Sequence, residues 1–114
     1  MSRRIGAAAE QKAAAYLKSR GFEILNTNYT IRGAEIDIIA REGDTYAFIE
    51  VKARGVHAQI APREAVTASK QRRICKAALC WLQENGAMEA NVRFDIIEVM
   101  EERITLLRAA FLFG

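Results

Sequence analysis

The sequence predicts an α/β fold in which a central mixed β-sheet of about five strands is flanked by helices. Three observations predict it. Two segments of helical character are separated by short runs rich in Ile, Val, Phe and Tyr. The order along the chain is helix, three or so strands, helix, two strands, which suits layers packed on one sheet. The length of 114 residues is enough for one core and leaves little room for a second, so 1–114 reads as a single domain.

Each element has its own local reason. Residues 6–20 are rich in Ala, the best helix former, and Gly21 follows where a helix commonly ends. Phe22 to Leu25 opens a strand that continues towards Asn28. Tyr29-Thr30-Ile31-Arg32 either extends it or re-enters the sheet before a turn at Gly33. Glu35–Ala40 and Thr45–Lys52 are two strong strands, joined by the hairpin turn Arg41-Glu42-Gly43-Asp44. Residues 53–63 form a polar loop with Arg54, His57 and the only proline, Pro62. A long helix runs from about Ala68 to Glu84, with Thr67 as N-cap and Gly86 past its end. Ile74, Ala77, Ala78 and Trp81 share one of its faces. Asn91–Val99 and Arg103–Phe113, joined at Glu101-Glu102, complete the sheet. The closing Ala109-Ala110-Phe111-Leu112-Phe113 is apolar enough either to be a buried strand or to contribute to a homodimer interface.

Composition excludes several function classes. A hydrophobic fraction of 51% and a charged fraction of 27% are ordinary for a globular chain. No apolar run approaches the ~20 residues that span a bilayer. Met1-Ser2-Arg3-Arg4 leads into alanines and Glu10 without the pattern of a signal peptide, so the expected compartment is the cytoplasm and no membrane partner is expected. Cys75 and Cys80 lie five apart on the second helix and point roughly 140° away from each other, which rules out a bridge between them. One His and two Cys are also too few for a zinc site. The net charge of +3 and pI near 9.1 hint at a polyanionic partner.

The anomaly lies in the central hairpin. By the period of two, Glu35 and Asp37 share one face of their strand, and Glu50 and Lys52 share one face of theirs. If Gly43-Asp44 is a two-residue loop, Glu42 pairs with Thr45. That register sets Asp37 opposite Glu50 and Glu35 opposite Lys52, with Cβ atoms about 5 Å apart. A three-residue loop would split the carboxylates between two faces. Opposed carboxylates repel, so the arrangement needs a cation beyond Lys52. Magnesium prefers such a set: Asp37, Glu50 and the carbonyl of Val51 as hard oxygen ligands, with positions left for water and phosphate. Lys52 would then orient the attacking water or neutralise the transition state. The bland alternative is a solvated hairpin face with a Glu35–Lys52 ion pair. The flanking Ile36, Ile38, Ile39, Phe48, Ile49 and Val51 imply a covered sheet, which favours a functional site.

Elsewhere the charges fall into simpler roles. Lys70, Arg72, Arg73 and Lys76 occupy one arc of the long helix, a solvated face by default. With Arg54 and Arg63 of the preceding loop, Lys70 and Arg73 could line a phosphate-contacting rim beside the hairpin site. His57 reads as a surface histidine, and Arg93 with Asp95 as a structural ion pair.

These residues carry a resemblance. Asp37 followed thirteen residues on by Glu50-Val51-Lys52 resembles the PD-(D/E)xK nuclease motif, with Ile36 where the motif's name has proline. Gly6 with Glu10, Gly21-Phe22, Ala34-Glu35-Ile36-Asp37, Phe48-Ile49-Glu50-Val51-Lys52-Ala53-Arg54, Lys70 and Arg93-Phe94-Asp95 together resemble the YraN family of small bacterial proteins, over nearly the whole chain. The family's usual Gly-Glu-Ile-Asp is Ala34-Glu35-Ile36-Asp37 here. The resemblance implies a restriction-endonuclease-like three-layer fold, similar to that of archaeal Holliday junction resolvases. It implies Asp37 and Glu50 as metal ligands, Lys52 as catalytic lysine and Glu10 as the acidic residue completing the site from the first helix. Glu35 and Lys70 match family positions of accessory role. The implied activity is Mg2+- or Mn2+-dependent hydrolysis of phosphodiester bonds in DNA, branched or structured DNA included, with DNA favoured over RNA. The alternative is a non-catalytic nucleic-acid-binding or interaction module of a DNA-processing complex. By analogy with resolvases, a homodimer is expected.

Overall fold

The structure, a computed structural model, describes residues 3–54, 66–101 and 103–113. His57, Pro62 and Arg63 of the polar loop lie outside the described residues. The elements are α1 (Arg3–Ser19), β1 (Glu23–Ile31), β2 (Ala34–Glu42), β3 (Thr45–Ala53), α2 (Ala68–Glu84), β4 (Asn91–Val99) and β5 (Ile104–Phe111). They form the α/β architecture the sequence predicts, one five-stranded sheet in the order β1-β2-β3-β4-β5. All neighbours are antiparallel except β3 and β4, which run parallel. Parallel neighbours need a long crossover, and α2 supplies it. The first strand is one continuous element rather than two, and Phe22 sits buried just before it.

Two apolar clusters, one per face, make three layers. On one face Ala9, Ala13 and Leu17 of α1 pack with Ile38, Ala40, Ala47, Ile49, Val51, Ile97 and Val99. Spacing by four puts those three helical residues in one stripe, and the two alanines let the helix lie close to the sheet. On the other face Ile74, Ala77, Ala78, Trp81 and Leu82 of α2 pack with Ile36, Ile39, Phe48, Phe94 and Ile96. Thr67 caps α2, its side chain accepting the Lys70 N–H at 3.2 Å. Trp81 fixes the helix laterally by donating its indole N–H to Asn26 at 2.8 Å.

The hairpin has the even register. Glu42 pairs with Thr45, Arg41 with Tyr46, Ala40 with Ala47, Ile39 with Phe48 and Ile38 with Ile49. There the β2–β3 ladder stops, whereas β3 stays paired with β4 as far as Ala53. The expected Asp37–Glu50 and Glu35–Lys52 ladder pairs therefore do not form.

The break coincides with a change of face in β2 and an irregular residue on its other side. Ile36 packs on the α2 face and Ile38 on the α1 face, although residues two apart in a regular strand share a face. Opposite the break, Asn28 has φ 54, and the β1–β2 register passes from Thr27↔Ile38 to Tyr29↔Ile36. Asn is among the few residues that adopt this left-handed conformation readily. Asn28 and Asp37 mark the point where β2 changes face and its ladder with β3 ends, and a notch lies there beside Glu50.

Candidate active site

β3 runs through the middle of the sheet and is buried along five successive residues. A central strand of this kind reads as continuously apolar. Glu50 interrupts it: only 5% exposed, it and Asp95 are the buried charged residues among those described. Such burial is costly for a carboxylate unless it is compensated. Asp37 lies across the notch. Having left the ladder, its Oδ2 accepts the Val51 N–H at 2.8 Å, a donor that β2 backbone would otherwise take. A side chain thus substitutes for a strand.

The two carboxyls divide one proton between them. Burial, and then the adjacent Glu50, push Asp37 up to about 9. Burial alone would also raise Glu50, but the hydrogen bond from Asp37 and the charge of Lys70 outweigh it and hold Glu50 below the ordinary carboxylate value. At neutral pH Asp37 is protonated and Glu50 ionised.

The cation beside Glu50 is Lys70. Its Nζ lies 2.6 Å from Glu50 Oε2, and that ion pair holds Lys70 above the ordinary lysine value although burial works against it. The contact meets ion-pair distance but not hydrogen-bond angles, so the buried Oε2 has no partner in hydrogen-bond geometry. The sequence pointed to Lys52 for counter-charge and placed Lys70 with the outward arginines. A signal was present: Lys70, Ile74 and Trp81 lie four and seven apart, along the stripe that faces the sheet. Lys52 is half-buried nearby, and burial first, then the Lys70 ammonium, lower it below the ordinary lysine value.

Two clefts meet at this pair. One, of about 240 Å³, is bounded by Gly33, Ala34, Ile74 and Arg73. The other, of about 400 Å³, is bounded by Gly6, Ala9, Glu10, Val51, Lys52 and Ala53. Glu35, Asp37, Glu50 and Lys70 line both. Glu10 flanks the buried stripe of α1 next to Ala9, which is how the first helix brings it to the site. Glu35 accepts a hydrogen bond from Thr30 at 3.2 Å rather than pairing with Lys52. Arg73 is exposed at the rim. Arg54 turns away from the rim: it pairs with Glu98 of β4 at 3.3 Å, and its side chain is 11% exposed.

Among the described residues, no three His, Cys, Asp or Glu side chains cluster closely enough to hold a metal by themselves. Two carboxylates are nevertheless an adequate protein share for magnesium, which keeps several waters and is usually held by one or two carboxylates plus phosphate. The buried Glu50 Oε2, compensated by the Lys70 ammonium and by no aligned hydrogen-bond donor among the described residues, fits that use.

Residues 9–99 match the model of Uncharacterised protein family UPF0102. The chain belongs to this family. A UPF0102 protein of Desulforapulum autotrophicum is 47% identical over 95% of this chain and 93% of its own length. One from Syntrophus aciditrophicus is 46% identical over 95% and 88%, and one from Geobacter sulfurreducens 45% identical over 83% and 74%. The matched UPF0102 segment contains Glu10, Asp37, Glu50, Lys52 and Lys70. Among the described residues, no helix is long and apolar enough to cross a membrane.

Proposed function

We propose that this UPF0102 protein is a metal-dependent phosphodiesterase acting on nucleic acid, with DNA as the favoured substrate. The observation that carries the reading is the Asp37–Glu50 pair, Glu50 buried and Asp37 half-buried, set at a break in the sheet, flanked by two lysines and open to two clefts. A purely structural pair at such depth would be closed over. This one is held between cavities, where perturbed acids concentrate for chemistry.

Asp37, Glu50 and the Val51 carbonyl would hold Mg2+ or Mn2+. A cation of that class supplies polarisation of the phosphoryl group and acidification of the attacking water. The protein's own groups do the rest. The Val51 N–H fixes the Asp37 carboxyl. Glu10, facing the larger cleft, orients the attacking water or accepts its proton. Lys52, in the same cleft, lies where it can neutralise charge that develops on phosphate. Lys70 and the exposed Arg73 offer contacts to the flanking phosphates, and Arg63, which lies outside the described residues, belongs by sequence to the same proposed set. Contacts of this kind position a backbone without reading its sequence, which suits recognition by shape.

The test is incubation of the purified protein with plasmid, linear and four-way-junction DNA and with RNA, in Mg2+ or Mn2+, beside Glu50→Ala and Lys52→Ala. Cleavage is expected in the parent and at least about a hundredfold less in each variant. Cleavage that survives both substitutions would sink the assigned site. Binding without cleavage of any substrate would favour the non-catalytic module instead.

A further inference from the structure

Lys70 does not behave as a surface lysine. Its backbone is fixed in the first turn of α2 by the bond from its N–H to Thr67. Its ammonium reaches across to Glu50 Oε2 at 2.6 Å, while the side chain as a whole keeps 38% exposure. The stem therefore has two places to go, inward to Glu50 or outward to either cleft, both of which it lines. Lysine is suited to such a choice, being a compact charge on four flexible carbons.

The oxygen it touches is the one a cation would need. Glu50 Oε2 is buried, and its neighbour across the notch, Asp37, already gives one oxygen to the Val51 N–H. An ammonium and a divalent cation cannot share Oε2 without facing each other at close range in a setting of low dielectric, where like charges repel strongly. Lys52 adds a further positive charge to the same cleft. Glu50 can therefore be neutralised by Lys70 or by the metal, but not by both.

We propose that Lys70 is a tethered counter-ion that competes with the divalent cation for Glu50 and leaves that carboxylate when the cation binds. The inference rests on the reading of Asp37 and Glu50 as metal ligands and gives it a regulation: Lys70 keeps the buried carboxylate compensated in the metal-free protein, and so lowers its affinity for metal. Lys70 is on this account a positioning residue, not one that acts on the reacting atoms.

The experiment is a Mn2+ titration of the full chain, read by loss of the free-ion paramagnetic resonance signal. It compares the parent protein with Lys70→Met, Lys70→Gln and Lys70→Arg, and no nuclease activity is needed. Loss of the charge in Lys70→Met is expected to tighten Mn2+ binding about tenfold, within the usual range for coupled sites. Lys70→Arg, which keeps the charge, should stay close to the parent. Lys70→Gln gives a second charge-free variant should the methionine chain fold poorly, and added Mn2+ should raise the melting temperature of either more than that of the parent. Mn2+ binding by the parent with equal or weaker binding by both charge-free variants overturns the competition and leaves the metal site standing. No Mn2+ binding by any of the four proteins overturns both. Binding by the charge-free variants alone supports the competition in its strongest form.

Discussion

The carboxylate of Asp95 accepts the backbone N–H of Ala109 at 2.9 Å while it receives three hydrogen bonds from Arg93 at 2.9–3.0 Å. Asp95 is completely buried. Ala109 has φ 53, and the β4–β5 register shifts at this point, between Phe94↔Phe111 and Ile96↔Leu107. The side chain of β4 thus holds a bulge in β5. Asp95→Ala would leave the Ala109 N–H without its acceptor and Arg93 with Glu42 alone, and breaking a largely buried pair of this type costs up to about 3–5 kcal/mol. Urea unfolding should show a loss of that order. A change below about 1 kcal/mol would mean that water or rearranged neighbours replace the carboxylate.

The same network reaches the hairpin. Arg93 continues to Glu42 at 2.8 Å, and Arg108 meets Glu42 through two bonds of 3.0 and 2.7 Å. Arg108 first, with Arg93 behind it, lowers the Glu42 carboxyl to about 2 despite some burial. The folded value lies below the unfolded one, so this stabilisation is present above about pH 4.5 and is lost as pH falls from there towards 2. Solvent screening limits it to about 1 kcal/mol. Stability measured against pH should fall less steeply across that window in Glu42→Gln than in the parent. Parallel curves for the two proteins would remove Glu42 from the acid response.

The left-handed conformation of Asn28 lies in β1 opposite the point where the β2–β3 ladder ends. Asn28 is exposed, so a substitution there changes backbone preference and little packing. Asn28→Val should lower stability by about 1–2 kcal/mol, because a β-branched residue resists φ 54, while Asn28→Gly should remain within about 0.5 kcal/mol of the parent. Equal stability of all three would show that β1 can run regularly past Asp37. Thermal unfolding of the three proteins decides it.

These residues also mark how far the sequence could be read. The β2–β3 register was legible because a two-residue turn at Gly43-Asp44 dictates it locally, and Gly43 takes the positive φ such a turn needs. The boundaries of α2 and β4 were legible from the Thr67 cap and from periodicity. The end of the ladder at Ile38–Ile49 was not, since it coincides with an irregularity at Asn28 in a strand on the far side of β2. Nor could Glu42 be matched to Arg93 and Arg108, which requires knowing that β4 and β5 lie beyond β3 in the sheet. The motif singled out Asp37 and Glu50, which the fold does bring together at two clefts, but their counter-charge came from the crossover helix, through a contact spanning twenty residues of chain.

The proton on Asp37 gives the last prediction. Its folded value of about 9 lies above the ordinary carboxylate value of 3.8, so between those limits the folded protein holds a proton that the unfolded chain has released. By linkage this group's contribution to stability declines as pH rises through that interval. A cation bound by the carboxylate requires the ionised form, so binding must expel the proton. Calorimetric Mn2+ titration at pH 7 in two buffers of different ionisation heat should report release of about one proton. The affinity should rise by nearly tenfold per pH unit up to about pH 9. Glu10→Gln, which leaves the Asp37–Glu50 pair intact, should release the same proton. Binding with no proton released would mean that both carboxyls are already ionised at pH 7, and the division of charge between Asp37 and Glu50 would have to be abandoned.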